Sequence, residues 1–95
     1  MAKATLLHRS KLVYADGAIR EMVIWKLPYS DQERWHGLKY SLYYGTANGK
    51  CLIRYDNEKG KGDHKHIEDE ENPYEFIDVE TLVKDFQNNI NYFRR

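Results

Sequence analysis

An α+β fold, with a four-stranded antiparallel sheet of two hairpins and a C-terminal helix packed on one face, is what this sequence predicts. Three observations predict it. Leu38, Tyr40, Leu42 and Tyr44 alternate with Lys39, Ser41 and Tyr43; Asp16-Gly17 and Asn48-Gly49 are two-residue turn signals; and Val79, Leu82, Val83, Phe86, Ile90 and Phe93 recur at helical spacings of three and four. At 95 residues the chain is expected to be one domain, 1–95, with a single modest core.

In chain order, residues 4–14 mix Leu6, Leu7, Leu12, Val13 and Tyr14 with basic residues in a strand-like way, and Asp16-Gly17 turns the chain. Ile19, Met22, Val23, Ile24 and Trp25 then run to the break at Pro28, which completes a first hairpin. Residues 29–35 are polar and poor in β-formers, so they are expected to be a connection or a short helical turn. The alternating strand that starts at Leu38 turns at Asn48-Gly49 and returns through Lys50, Cys51, Leu52, Ile53, Arg54 and Tyr55. Pro73 marks a further break, and the final helix starts at Asp78 or Thr81, with Asp78 favoured because Glu80 and Thr81 follow within the first turn; its acidic start and Arg94-Arg95 end suit its dipole.

Composition bounds the function. Net charge is zero and 41% of residues are hydrophobic, which fits a folded protein and not a disordered tail or a polycation. The balance hides an asymmetry: residues 1–67 carry 12 Lys+Arg against 7 Asp+Glu, and residues 68–95 carry 3 against 8. An anionic ligand is steered toward the first part. The lone Cys51 excludes an internal disulfide, no apolar leader follows Met1, and no apolar run approaches a membrane span, so a cytoplasmic protein that does not enter membranes is expected. Cys51 has no CxxC companion and sits in an expected strand, where packing outweighs nucleophilic chemistry.

Past the second hairpin, Lys59-Gly60-Lys61-Gly62-Asp63-His64-Lys65-His66-Ile67 sets two histidines, three lysines and an aspartate on a backbone loosened by two glycines. Such a loop, rooted on a sheet, suits the handling of phosphate. His64 and His66 are two apart, so on an extended strand they point the same way. One chemistry open to them is acid–base cleavage of RNA: an imidazole takes the ribose 2′-hydroxyl proton and another group protonates the leaving 5′-oxygen, with no cofactor. Lys59, Lys61 and Lys65 would hold the phosphate, and Gly60 and Gly62 would let backbone N–H groups approach it. A metal site built with Asp63 or Asp56 is a weaker reading, since His8 and His36 lie far off in sequence. A solvated basic loop with incidental histidines is the plain alternative. Gly-x-Gly without a third glycine, and without Gly-Lys-Ser or Gly-Lys-Thr, is no nucleotide-binding signature. The run Glu68-Asp69-Glu70-Glu71 reads as a solvated turn.

The string Tyr55-Asp56-Asn57 through Lys59-Gly60-Lys61-Gly62-Asp63-His64-Lys65-His66, then Pro73-Tyr74-Glu75-Phe76-Ile77-Asp78-Val79-Glu80-Thr81-Leu82 and Asp85-Phe86, resembles the TumE family of small toxins from prokaryotic toxin–antitoxin pairs. The resemblance is strong over the C-terminal half and loose over the first hairpin. It implies a growth-inhibiting protein encoded beside a neutralising helix-turn-helix antitoxin, and its motif falls on Asp56, Lys59, Lys61, Asp63, His64 and His66. RNA is the expected target. Two functions stay open: a metal-independent endoribonuclease using Asp56, Asp63, His64 and His66 for proton transfer, or a non-catalytic nucleic-acid or protein-binding module whose loop grips phosphate. Paired imidazoles beside a carboxylate favour the enzyme, because gripping phosphate needs only Lys and Arg. Whether the chain acts alone or as a homodimer is left open by one sequence.

Overall fold

The computed structural model describes residues 3–32, 34–58 and 60–95. Six strands, β1 Thr5–Val13, β2 Ile19–Lys26, β3 Leu38–Gly45, β4 Cys51–Asp56, β5 His64–Ile67 and β6 Glu70–Pro73, form one antiparallel sheet in sequence order, and the helix α1 Val79–Arg94 follows. The α+β class, both expected hairpins and the helix are present; the four-stranded sheet is not. The correction lies in residues 64–73, expected as a basic loop and an acidic solvated turn, which instead form a third hairpin. Their composition conceals it: His-Lys-His-Ile is short and polar, Glu-Glu-Asn-Pro ends in a residue that cannot donate to a ladder, and the turn at Glu68-Asp69 contains no glycine. Glu68 itself takes the left-handed conformation, φ 55°, a role usually given to Gly or Asn.

One face of the sheet is covered and the other is open. The inward positions of β2, β3 and β4, Met22, Ile24, Tyr40, Leu42, Tyr44, Ile53 and Tyr55, join Leu82, Phe86 and Ile90 of α1 in the core, with Ala18 and Phe76 at its margins. Leu82, Phe86 and Ile90 lie four apart on one stripe of the helix and are fully buried. Polar tips finish the contact. The Tyr55 hydroxyl donates to Asn89, Tyr74 donates to Asp85 at 2.7 Å, and Arg20 donates to Gln87 at 2.9 Å. Burial pushes the Tyr55 hydroxyl up to about 12, so it stays a donor at any physiological pH. At the helix end, Arg94 lies 3.8 Å from the Tyr14 ring centroid and donates to Asp16 at 3.1 Å and to the Tyr44 hydroxyl at 2.9 Å. Among the described residues, no helix is long and apolar enough to cross a membrane.

Two predictions follow from the helix. Phe86→Ala removes a fully buried ring, and urea unfolding should show a loss of about 3–5 kcal/mol. The Asp78 side chain accepts from the Thr81 amide at 2.7 Å, and hydrogen bonding with Thr81 holds its carboxyl below the ordinary 3.8. A carboxyl depressed in the folded state adds stability above its unfolded pKa and loses it as pH falls through the folded one. Asp78→Ala should therefore melt below the wild type at neutral pH, and the two midpoints should converge as pH drops below 3.8.

Candidate active site on the open sheet face

The pairing of β4 with β5 builds the site. Asp56 pairs with His64 and Arg54 with His66, so four chemically active side chains meet across adjacent strands on the face away from α1. The period of two settles which face: Ile53 and Tyr55 are buried against the helix, so Arg54 and Asp56 point the other way. His64 and His66 do share a side, with ring centroids 6.3 Å apart. They belong to a strand, however, and not to the loop expected from sequence, and His64 is buried at 7% exposure.

Asn57 fixes where β4 ends. This fully buried residue accepts from the Tyr40 amide at 3.0 Å through Oδ1 and donates to the Leu38 carbonyl at 2.7 Å through Nδ2. Its side chain thereby extends the β3 ladder after the β4 backbone turns away. The turn returns through Gly60 and Gly62, both at positive φ (92° and 72°). The Gly62 conformation aims its carbonyl at His64 Nδ1, 3.0 Å away. A carbonyl can only accept, so Nδ1 carries a proton and Nε2 is left to face Asp56.

His64 Nε2 makes an ion-pair contact with Asp56 Oδ1, and that same buried oxygen lacks a hydrogen-bond donor in line with it among the described residues. The other Asp56 oxygen lies 3.4 Å from Arg54 Nε. Alongside stands a second pair, His66 Nε2 to Glu71 Oε2 at 2.6 Å, and Glu71 Oε1 comes within 3.9 Å of His64 Nε2. The hydrogen bond from His66 is the main reason the Glu71 carboxyl is held below the usual carboxylate range. Lys61 lines two shallow depressions that meet at His64, one with Arg54, Asp56 and Glu58, the other with Asp63, Glu71, Asn72 and Pro73. Lys61, Gly62, His64, His66 and Asp56 are thus gathered as the sequence suggested.

Two of the sequence candidates fall elsewhere. Lys65 alternates to the helix side of β5, paired with Tyr55 and Asn72, away from both imidazoles. Asp63 turns its carboxylate to His36 Nε2, at 3.1 and 3.2 Å from its two oxygens, and accepts from the Tyr40 hydroxyl at 2.6 Å. His36 Nδ1 accepts from the Leu38 amide at 3.2 Å, so Nε2 is the donor to Asp63. The His36 ring packs 4.0 Å from that of Phe76, and Trp35 stands edge-on to both. Burial, then the Asp63 hydrogen bond, raises the Tyr40 pKa far above the ordinary phenol value. Asp63 therefore ties the 27–37 connection to the turn that carries Gly62. Lys59 lies outside the described residues.

Sequence reasoning missed Glu71, Arg54, His36, Tyr40 and Asn57. A hairpin across Glu68-Asp69 would have set Glu71 opposite His66, the one signal available for it; His36 is 27 residues from Asp63 and gave none. Among the described residues, no three His, Cys, Asp or Glu side chains are arranged to hold a metal ion. These contacts assign different costs to the two aspartates. Asp63→Ala leaves a buried hydroxyl and a buried ring N–H without their acceptor and should cost about 2–4 kcal/mol in urea unfolding, whereas Asp56→Asn should cost less than about 1 kcal/mol.

No curated protein and no solved structure matches the chain. The family model described as Toxin TumE matches residues 3–92, which takes in all six strands and nearly all of the helix. The chain belongs to the TumE toxin family.

Proposed function

We propose that this toxin is a metal-independent endoribonuclease whose proton acceptor is the Asp56–His64 pair. The observation that carries the reading is the contact of His64 Nε2 with Asp56 Oδ1 on the uncovered face of the sheet, a carboxylate–imidazole pair flanked by Arg54 and Lys61. In the proposed step the ribose 2′-hydroxyl gives its proton to the Asp56 carboxylate, which the contact with His64 Nε2 holds in place. The 2′-oxygen attacks the adjacent phosphorus and the bond to the 5′-oxygen breaks. His66, in its doubly protonated form and oriented through Nε2 by Glu71, gives the leaving oxygen a proton from Nδ1. The products are a 2′,3′-cyclic phosphate and a 5′-hydroxyl. Lys61 and Arg54 balance the charge that builds on the non-bridging oxygens.

Incubating the purified protein with RNA, with and without a chelator, tests the reading. Cleavage unaffected by chelator supports it; intact RNA, or cleavage only with an added divalent cation, overturns it. Asp56→Asn and His66→Ala should each slow cleavage about 10²–10⁴-fold, the usual weight of a general acid or base. His66→Ala should keep its thermal midpoint, while His64→Ala, at a buried position, should lose stability as well as activity.

The family also points to an antitoxin partner, and the depressions around Lys61 are the simplest surface for acidic groups to cover. Lys61→Glu should slow antitoxin association and flatten its salt dependence, whereas Glu70→Lys should change the rate little or raise it. An unchanged rate for Lys61→Glu at low salt would mean that neutralisation does not work by masking this site.

A further inference from the structure

The register of the whole sheet lays out more of the open face than the acid–base cluster uses. Val23 pairs with Ser41, Ser41 with Asp56 and Asp56 with His64, so one row crosses four strands and ends at the proposed proton acceptor. One pleat along, Trp25 pairs with Lys39. Trp25, Lys39, Val23, Ser41, Asp56 and Glu58 line a depression of about 90 Å³. Asp56 is thus a wall shared by this depression and the one it forms with Arg54, Lys61 and His64.

The two tryptophans differ in a telling way. Trp35 stands edge-on to Phe76 and His36, but among the described residues no aromatic ring packs on Trp25, which is only half-buried on a face that no helix covers. Its indole lines the depression beside Lys39 and so can meet a ligand that enters there. We infer that Trp25 and Lys39 form a subsite for an unpaired nucleobase and its phosphate, so that the substrate is single-stranded RNA crossing the strands from β2 toward β5. This rests on the endoribonuclease reading for the direction of the strand, and adds Trp25 and Lys39 to it. Two strand spacings separate β2 from β4, about 10 Å, so a base resting on Trp25 belongs to a nucleotide neighbouring the one whose phosphate faces Asp56. A duplex keeps its base faces stacked inside and could not use the indole, whereas every unpaired base offers a π-face to it. Lys39 is the cation among the residues that line this depression, which also include the carboxylates Asp56 and Glu58.

The test separates binding from cleavage by using an oligonucleotide that cannot be cut. In a Trp35→Phe protein, Trp25 is the one remaining tryptophan of two, and a single-stranded oligodeoxynucleotide, lacking the 2′-hydroxyl, should quench its fluorescence saturably. Heparin and an RNA duplex should not. By anisotropy of a labelled strand, Trp25→Ala should bind about ten-fold more weakly and Trp25→Phe within about two-fold of wild type, as loss and retention of one stacked base require. Lys39→Ala should lower the salt slope of binding by about one. Equal quenching by heparin or duplex, or equal affinity of Trp25→Ala at an unchanged thermal midpoint, overturns the subsite. If Trp25→Ala fails to fold, Trp25→Phe and the quenching series decide the matter. A protein that binds and is quenched but leaves RNA whole keeps the subsite and loses the nuclease; one that cuts RNA with an unchanged KM after Trp25→Ala keeps the nuclease and loses the subsite.

Discussion

The register between β4 and β5 is the constraint from which the rest of the site follows. Because side chains alternate along a strand, pairing Asp56 with His64 puts a carboxylate and an imidazole on one face while Tyr55 and Ile53 go to the core. A slip of one residue would send the carboxylate under the helix and Tyr55 into solvent. Several devices prevent that slip. Leu82, Phe86 and Ile90 hold the core side of the sheet, Asn57 terminates β4 by bonding to β3, and Gly62 aligns the first residue of β5 through its carbonyl on His64 Nδ1. None of these groups needs to touch a substrate, yet each sets where the Asp56 carboxylate and the His64 imidazole stand.

Two His–Asp pairs lie close in space and differ in character. His36–Asp63 is closed: both carboxylate oxygens lie near the His36 ring, Tyr40 donates to one of them, and aromatic rings surround the imidazole. Tyr40 keeps its proton, since burial and the adjacent carboxylate both disfavour the phenolate. Asp56–His64 is open: His64 Nε2 contacts one carboxylate oxygen, and the neighbours are Arg54, Lys61 and a depression on the uncovered face of the sheet. On that distinction Asp63 holds the turn, and Asp56 is the carboxylate to which the proposed reading assigns chemistry.

Much of this was legible in the sequence where period and turn chemistry agree. The strands from Leu38 and Cys51, the turn at Asn48-Gly49, the Asp78 cap and the apolar stripe of the helix carry strong local signals and form as expected. The third hairpin was not legible, because β5 and β6 are four residues each, polar, and joined through a non-glycine residue at positive φ. Their stability comes from pairing onto β4, a tertiary effect that local propensity does not encode. The site was half legible for the same reason. His64, His66 and Asp56 stand out by type and spacing, but assigning Glu71 to His66 needs the unseen hairpin, and separating Asp63 from Asp56 needs the contact with His36 that only the folded chain makes.

The toxin family gives the role, and the proposed mechanism rests on the carboxylate, two imidazoles and two cations gathered on the open sheet face. The chemistry of the ends left on cleaved RNA tests that account most directly. Attack by the neighbouring 2′-oxygen leaves 2′,3′-cyclic phosphate and 5′-hydroxyl termini, and a single 2′-deoxy substitution at the scissile nucleotide abolishes the cut. Mass spectrometry of the products of a defined oligoribonucleotide should find those termini; 3′-hydroxyl and 5′-phosphate ends, the mark of attack by water, would contradict the account.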